Sequence, residues 1–134
     1  MNLENEAYFK NVYPKLLAKE NARHEDFWGF ECADGWFNLL NLLMQNIQSH
    51  CDWKQDTCPQ VIVKQVKEKF GTLRFYYEGG DEYVAGLVAL AESMSGIMCE
   101  GCGAPAKTSG GLNGKGWIKT MCQTCNEKRG KNED

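Results

Sequence analysis

The sequence predicts an α+β protein in which N-terminal helices, a β-hairpin and a further helix form one small body over residues 1–98, followed by a cysteine-rich unit over 99–134. Three stretches carry this prediction. A broad apolar helical run spans 34–47, two β-branched and aromatic runs flank a glycine at 71, and two Cys-x-x-Cys pairs sit near the end.

Taken in order, Ala7, Tyr8, Val12, Leu16, Leu17 and Ala18 recur at spacings of three to five, which predicts helix within residues 3–22. Pro14 divides it. The residue before a proline is pushed out of the α region and proline itself suits a first turn, so Tyr13 ends one helix and Pro14 opens the next. Residues 21–34 have no period and read as a loop in which Phe27, Trp28 and Phe30 are core anchors, with a partner-facing aromatic patch as the alternative. Asp34 is the candidate N-cap of the next helix. That helix carries Trp36, Phe37, Leu39, Leu40, Leu42, Leu43, Met44 and Ile47, a face so wide that it implies burial on more than one side and the centre of the core.

The runs Val61–Lys67 and Thr72–Tyr77 read as an antiparallel hairpin, with Leu73, Phe75 and Tyr77 on its buried face by period two. Gly79, Gly80 and Asp81 form a turn ending in an N-cap. The following helix, from Glu82 to about Ser95, sets Val84, Leu87, Val88, Ala91 and Met94 on one stripe, and Gly96 suits its C-terminus.

Cys99-Glu100-Gly101-Cys102 and Cys122-Gln123-Thr124-Cys125 are separated by nineteen residues. That spacing is the one expected of a zinc site made from two knuckles, each a tight turn aiming two sulfurs at one centre. Gly103 suits the first turn because it tolerates positive φ. Between the knuckles, Gly110, Gly111, Gly114 and Gly116 mark a loop, and Trp117 to Met121 a short strand with Trp117 and Ile118 covering the metal or docking on the body. The unit therefore reads as a zinc ribbon with Cys99, Cys102, Cys122 and Cys125 as ligands. Four cysteines fill the coordination sphere of Zn2+ and make the ion structural, whereas catalytic zinc keeps an open position. A redox dithiol pair and a rubredoxin-like iron site are the alternatives, so zinc against iron stays open here. Residues Glu127 to Asp134 read as a frayed charged tail.

Seven cysteines exclude a complete internal disulfide framework. Cys32, Cys51 and Cys58 read as reduced, small apolar residues, and His24 and His50 match no ligand spacing with them. The start of the chain is acidic and polar, unlike a secretory segment, and no apolar run reaches membrane-spanning length. A cytoplasmic location is the expectation.

The net charge of −3 is unevenly spread. Residues 1–98 hold nine Lys and Arg against fourteen Asp and Glu, hence −5, and residues 99–134 hold six against four, hence +2. An acidic body argues against a broad nucleic-acid footprint, which needs clustered cations to displace counterions. Lys64, Lys67, Lys69, Phe70, Arg74 and Tyr76 on the hairpin form a weaker candidate stacking platform.

No catalytic constellation is legible. Gly114-Lys115 resembles part of a phosphate loop, but Ser109 and Gly116 stand where that motif needs Gly and Ser or Thr. The expectation is a protein that is not an enzyme.

The combination Gln65-Val66-Lys67-Glu68-Lys69-Phe70-Gly71-Thr72-Leu73-Arg74-Phe75-Tyr76, the Gly-Gly-Asp turn, Ala91-Glu92-Ser93-Met94-Ser95, Cys99-Glu100-x-Cys102-Gly103-Ala104-Pro105 and Gly116-Trp117-Ile118-x-Thr120 resembles a group of small bacteriophage and prophage proteins with a C-terminal four-cysteine zinc ribbon. The likeness covers about residues 60–125, with a weaker echo at Asp34-Gly35-Trp36-Phe37. It implies a phage-encoded accessory protein working inside the bacterial host cell, and it supplies no catalytic residues. Small acidic proteins of such origin include inhibitors of host defence systems such as CRISPR effectors. The expected partner is therefore a host protein with a basic surface, one that handles nucleic acid. The alternative is a nucleic-acid-binding zinc ribbon using Lys107, Lys115, Lys119, Lys128 and Arg129.

Overall fold

A computed structural model describes residues 1–17, 27, 29–110 and 118–132, with the last four in backbone only. It has the α+β architecture expected. Helix α1 (Leu3–Val12) starts at Asn2, whose side chain accepts from the Asn5 N–H, and stops at Tyr13 ahead of Pro14. After Pro14 a single turn over 14–17 carries the buried Leu16 and Leu17. The rest of the second helix expected there lies outside the described residues, as does Trp28.

The stretch read as a loop contains a strand, β1 (Phe30–Glu31), which runs parallel to β2 (Ile62–Lys69) and pairs Phe30 with Val66. Two residues are too few to show a period, and the parallel partner lies more than thirty positions away. β2 and β3 (Thr72–Glu78) form the expected hairpin, so the sheet order is β1-β2-β3. The hairpin turn is Phe70-Gly71, both at positive φ (54° and 87°), as a two-residue loop of the primed type requires. A register shift between Val63 and Gln65 explains why the buried residues of β2, Val63 and Val66, stand three apart. Leu73 and Phe75 face the core, as read from the period, and Tyr77 is half-buried.

Helix α2 (Phe37–Trp53) is entered through a short 3-10 turn, Asp34–Trp36. Its Leu40, Met44 and Ile47 are fully buried, together with Trp36. Asp34 does not cap it. The Asp34 carboxylate accepts instead from the Asn2 N–H (2.8 Å), the Asn2 side-chain amide (3.3 Å) and the Asn5 amide (3.1 Å), serving the start of α1. Leu42, counted in the wide apolar face, is 58% exposed.

Helix α3 (Glu82–Ser95) is capped by Asp81, whose carboxylate accepts from the Val84 N–H at 3.1 Å. Gly96 ends it at an ordinary φ of −71°, so the left-handed freedom of glycine is not used there. α3 also covers the outer edge of β3. Ser95 Oγ accepts from the Leu73 N–H (2.8 Å) and a Glu92 carboxylate oxygen from the Phe75 N–H (3.0 Å). These backbone donors face away from β2 and would otherwise be unpaired in a part-buried edge.

Beyond α3, β4 (Lys107–Ser109) and β5 (Lys119–Met121) form a small antiparallel sheet, followed by α4 (Gln123–Asn132). The tail read as frayed is thus helical through Asn132. The sequence hides this because the segment is polar and charged and has no apolar stripe to reveal a helical period. The glycine-rich insert from 111 to 117, with Trp117, lies outside the described residues.

Candidate metal centre

Each knuckle is built by the backbone before its sulfurs are considered. In the first, the Cys99 N–H donates to Ala104 O (2.7 Å) and the Gly103 N–H to Cys99 O (2.8 Å), folding 99–104 into a closed turn. Gly103 has the positive φ (85°) that the sequence predicts for it. In the second, Cys122 follows the end of β5 and Cys125 lies in the first turn of α4, where the Asn126 N–H donates to Cys122 O (2.9 Å).

The structure brings together all four predicted ligands: the Sγ atoms of Cys99, Cys102, Cys122 and Cys125 lie within 4.8 Å of one another. Cys102 and Cys122 are separated by 3.6 Å. Two sulfurs bonded tetrahedrally to one ion at about 2.3 Å stand about 3.8 Å apart, so this donor set fits a metal without rearrangement. Gly101 leaves room for the second knuckle, since a Cβ there would stand 3.0 Å from Cys125 Sγ and 3.3 Å from Cys125 Cβ and press on that ligand.

The sulfurs are electrostatically unequal. Burial pushes the Cys99 thiol up, but the backbone N–H groups of Cys122, Cys102 and Gly101 aim at its sulfur and bring it down to about 7. Cys125 is pushed up to about 12 by burial and by the neighbouring thiols Cys122, Cys99 and Cys102. A cation at the centre reverses the second effect, because several thiols that resist ionisation side by side become thiolates around a positive ion.

The first knuckle is mortised into the body at the entry to α2. The Gly35 N–H donates to Glu100 O (2.7 Å), the Trp36 indole to Met98 O (2.9 Å), and the Ala33 N–H to the Glu100 carboxylate (2.9 Å). A second joint holds the hairpin turn. Thr120 Oγ donates to Gly71 O (2.6 Å) and meets Thr108 Oγ at 2.6 Å, while the Gly71 N–H donates to the Glu68 carboxylate (2.7 Å).

Lys119 spans both joints, its Nζ lying 2.7 Å from Glu68 and 3.3 Å from Glu100, whose side chain is only 4% exposed. Burial lowers the Lys119 amine, yet the two carboxylates outweigh it and hold the group above its ordinary value. Lys119→Met should therefore cost about 3 kcal/mol, because it strands a buried carboxylate without its cation. Adding Glu100→Gln should recover part of this loss in denaturant melts. Independent, additive losses would exclude the coupling.

Among the remaining cysteines, Cys32 is buried and its thiol is pushed up to about 12, chiefly by burial and then by Glu100. Cys51 and Cys58 are buried with sulfurs 3.7 Å apart. The sequence reading sets His50 and Cys58 aside for want of a ligand spacing and does not include Asp81, yet His50, Cys58 and Asp81 also bring ligand atoms within 4.8 Å. Residues separated by 8 and 31 positions leave no spacing signal. Here His50 Nε2 and Asp81 Oδ2 stand 2.7 Å apart, a direct charge-assisted hydrogen bond and shorter than the roughly 3.3 Å between two such atoms on one ion. The His50 ring also stacks on Tyr83 at 4.3 Å. We read this group as a staple joining the end of α2 to the start of α3. His24 lies outside the described residues.

The staple makes stability depend on pH. The Asp81 carboxyl is held below its ordinary value, first by the His50 hydrogen bond and, against desolvation, by the Val84 N–H. A carboxyl depressed in the folded state stabilises fully above its unfolded value near 4, and that contribution is lost as pH falls through the folded value. Asp81→Asn should accordingly flatten the acid limb of stability against pH below about pH 4. An unchanged limb would show that Asp81 gains nothing on folding.

No protein family, curated protein or solved structure matches this chain. None of its described helices is long and apolar enough to cross a membrane.

Proposed function

We propose that this is a zinc-stabilised, non-enzymatic binding protein, encoded by a phage and acting in the host cytoplasm by occupying a basic surface of a host protein. The convergence of four sulfurs on one point supports the metal-stabilised part of the reading. A site with four protein donors leaves no position for water or substrate, so its ion holds structure and performs no chemistry. Zinc is favoured over iron as the resident ion because tetrahedral thiolate sites in small ribbons suit a cation with no redox state to protect. The two joints around Glu100 and Gly71 support a rigid unit, and rigidity lowers the ordering cost of binding.

The −5 charge over residues 1–98 favours a partner with a positive surface, since complementary potentials speed approach and suppress wrong partners. Proteins that handle nucleic acid present such surfaces, and a CRISPR effector is the defence system of that kind we favour. Titrating the protein into CRISPR effector complexes should abolish DNA cleavage at one equivalent per complex. No binding to bare DNA or RNA should occur at physiological salt. Full effectors untouched at excess, or turnover at substoichiometric amounts, would decide against the reading.

A nucleic-acid-binding zinc ribbon using Lys107, Lys115, Lys119, Lys128 and Arg129 is the second reading, and the outer face of the hairpin, a separate stacking platform in the body, would add to it. There Lys67 sits opposite Arg74 and 5.7 Å from the Tyr76 ring. Against it, Glu31 aligns with Lys67, and Lys119 is committed to Glu68 and Glu100. Phosphate binding predicts affinity falling steeply with salt, which a protein interface of mixed character does not.

A further inference from the structure

Helices α2 and α3 pack side by side in opposite directions: Leu39 and Leu43 lie across a groove from Met94 at one end, and Trp53 lies beside Tyr83 at the other. The two ends share Asn46; the first is floored by Leu39, Leu43, Leu87 and Ala91, and the second is more polar, with Ser49 and His50. Its rims carry Leu42 at 58% exposed, Leu90 at 59%, Tyr83 at 54% and Trp53 at 76%. Tyr83 is stacked on one side by the His50 ring and Trp53 is overlain by the Lys54 ammonium, so the uncovered part of the face is the end carrying Leu42 and Leu90. Apolar residues scattered singly on a surface need no account, but a contiguous patch on two helices does.

Two further observations narrow what covers it. In a chain where a quarter of the residues are charged, α2 has no Lys, Arg, Asp or Glu from 37 to 51, and α3 has none from 83 to 91. Interface centres are depleted of charge in just this way. Gly86 occupies the middle of α3, where glycine costs roughly 1 kcal/mol relative to alanine. A Cβ at Gly86 would meet nothing within 4 Å among the described residues, so no contact there explains the glycine. It stands one turn before Leu90 and is flanked by Ala85 and Ala89, leaving room for another backbone to approach closely.

We propose that this face binds a second copy of the same chain, with α3 crossing α3 at Gly86 about a two-fold axis. Charge selects this occupant. Two acidic chains repel over most of their surface, and an uncharged face is where they meet without opposing like charges. At the end carrying Leu42 and Leu90, within the charge-free runs 37–51 and 83–91, neither helix offers a basic partner an anion, so this surface is separate from the one proposed to contact the host protein. Shape agrees, because the face carries both a ridge, Leu42 and Leu90, and a groove, which is the self-complementarity a two-fold contact needs. A standard interface takes about 800 Å² from each partner, a tenth of the 8015 Å² surface of this chain.

Sedimentation velocity of the metal-loaded protein from about 1 to 200 µM tests this directly. The wild type should pass from monomer to dimer within that range. Leu90→Glu should remain monomeric throughout with unchanged circular dichroism, and Leu42→Glu checks the same face from α2. Gly86→Leu should weaken association by about tenfold or more while leaving the monomer's melting temperature unchanged or higher, the opposite of what a folding defect gives. Raising salt should leave the dimer intact or strengthen it, because screening removes repulsion but not apolar contact. A wild type that stays monomeric at the highest concentration overturns the proposal. So does a dimer that survives Leu90→Glu, is unaffected by Gly86→Leu, or dissociates as salt rises.

Discussion

Replacing Cys122 with Ser, or stripping the ion with a chelator, is expected to abolish stoichiometric metal binding and to destabilise the protein by at least about 4 kcal/mol. The magnitude follows from what the centre holds. Cys99, fully buried, lies between Met98 and Glu100, whose backbone oxygens accept from Trp36 and Gly35 at the entry to α2. Thr120, two residues before Cys122, grips the turn of the hairpin. Loosening the knuckles therefore releases both joints, and the loss should reach α2 and β2–β3. Elemental analysis should give one ion per wild-type chain and none in the variant. Hydrogen exchange should show protection falling at the hairpin turn as well as around the cysteines. A variant that keeps its ion, or loses it with no change at the hairpin, would contradict this account.

Gly35→Ala is expected to cost about 3 kcal/mol while leaving every ligand in place. A Cβ at residue 35 would lie 2.3 Å from Cys99 O, 2.4 Å from Glu100 O and 2.5 Å from Glu100 C. These are backbone atoms and cannot turn aside as a side chain would. The 3-10 turn or the knuckle must move, and movement breaks the 2.7 Å bond from the Gly35 N–H. Gly96→Ala is the control. Residue 96 has an ordinary φ and its nearest new contact would be 3.4 Å, so its effect should stay within about 0.5 kcal/mol. Denaturant melts of both variants, with metal content measured alongside, separate a packing defect from loss of the ion. Equal melting of Gly35→Ala and wild type would mean that the mortise does not bear on stability.

Much of this arrangement was legible because the signals are local. The knuckle cysteines announce themselves by spacing, α3 by its stripe and Asp81 cap, and the hairpin by β-branched runs around Gly71. What the sequence conceals depends on residues far apart. Asp34 has the chemistry of an N-cap in the right place, but Asn2 and Asn5 compete for its carboxylate and win. β1 exists because Phe30 finds Val66. Glu100 reads as a surface residue between two ligands, yet it is buried and bonded to Ala33, Lys119 and Gly35, contacts that no periodicity encodes. The role of Gly35 was invisible for the same reason.

The joint between Ala33 and Glu100 spans 67 positions, and this separation has a consequence for the order of events during synthesis. At roughly 5–20 residues per second, a ribosome needs several seconds to pass from the entry of α2 to the first knuckle, and longer to reach the second. Through that interval the turn at Gly35 has no Glu100 to receive its N–H, and the hairpin turn has no Thr120. The nascent body waits unlatched, with its apolar helix already made. On the zinc-stabilised reading proposed above, capture of an ion would be the event that closes the molecule, and a cell short of that ion would hold a pool of half-finished chains exposed to its proteases.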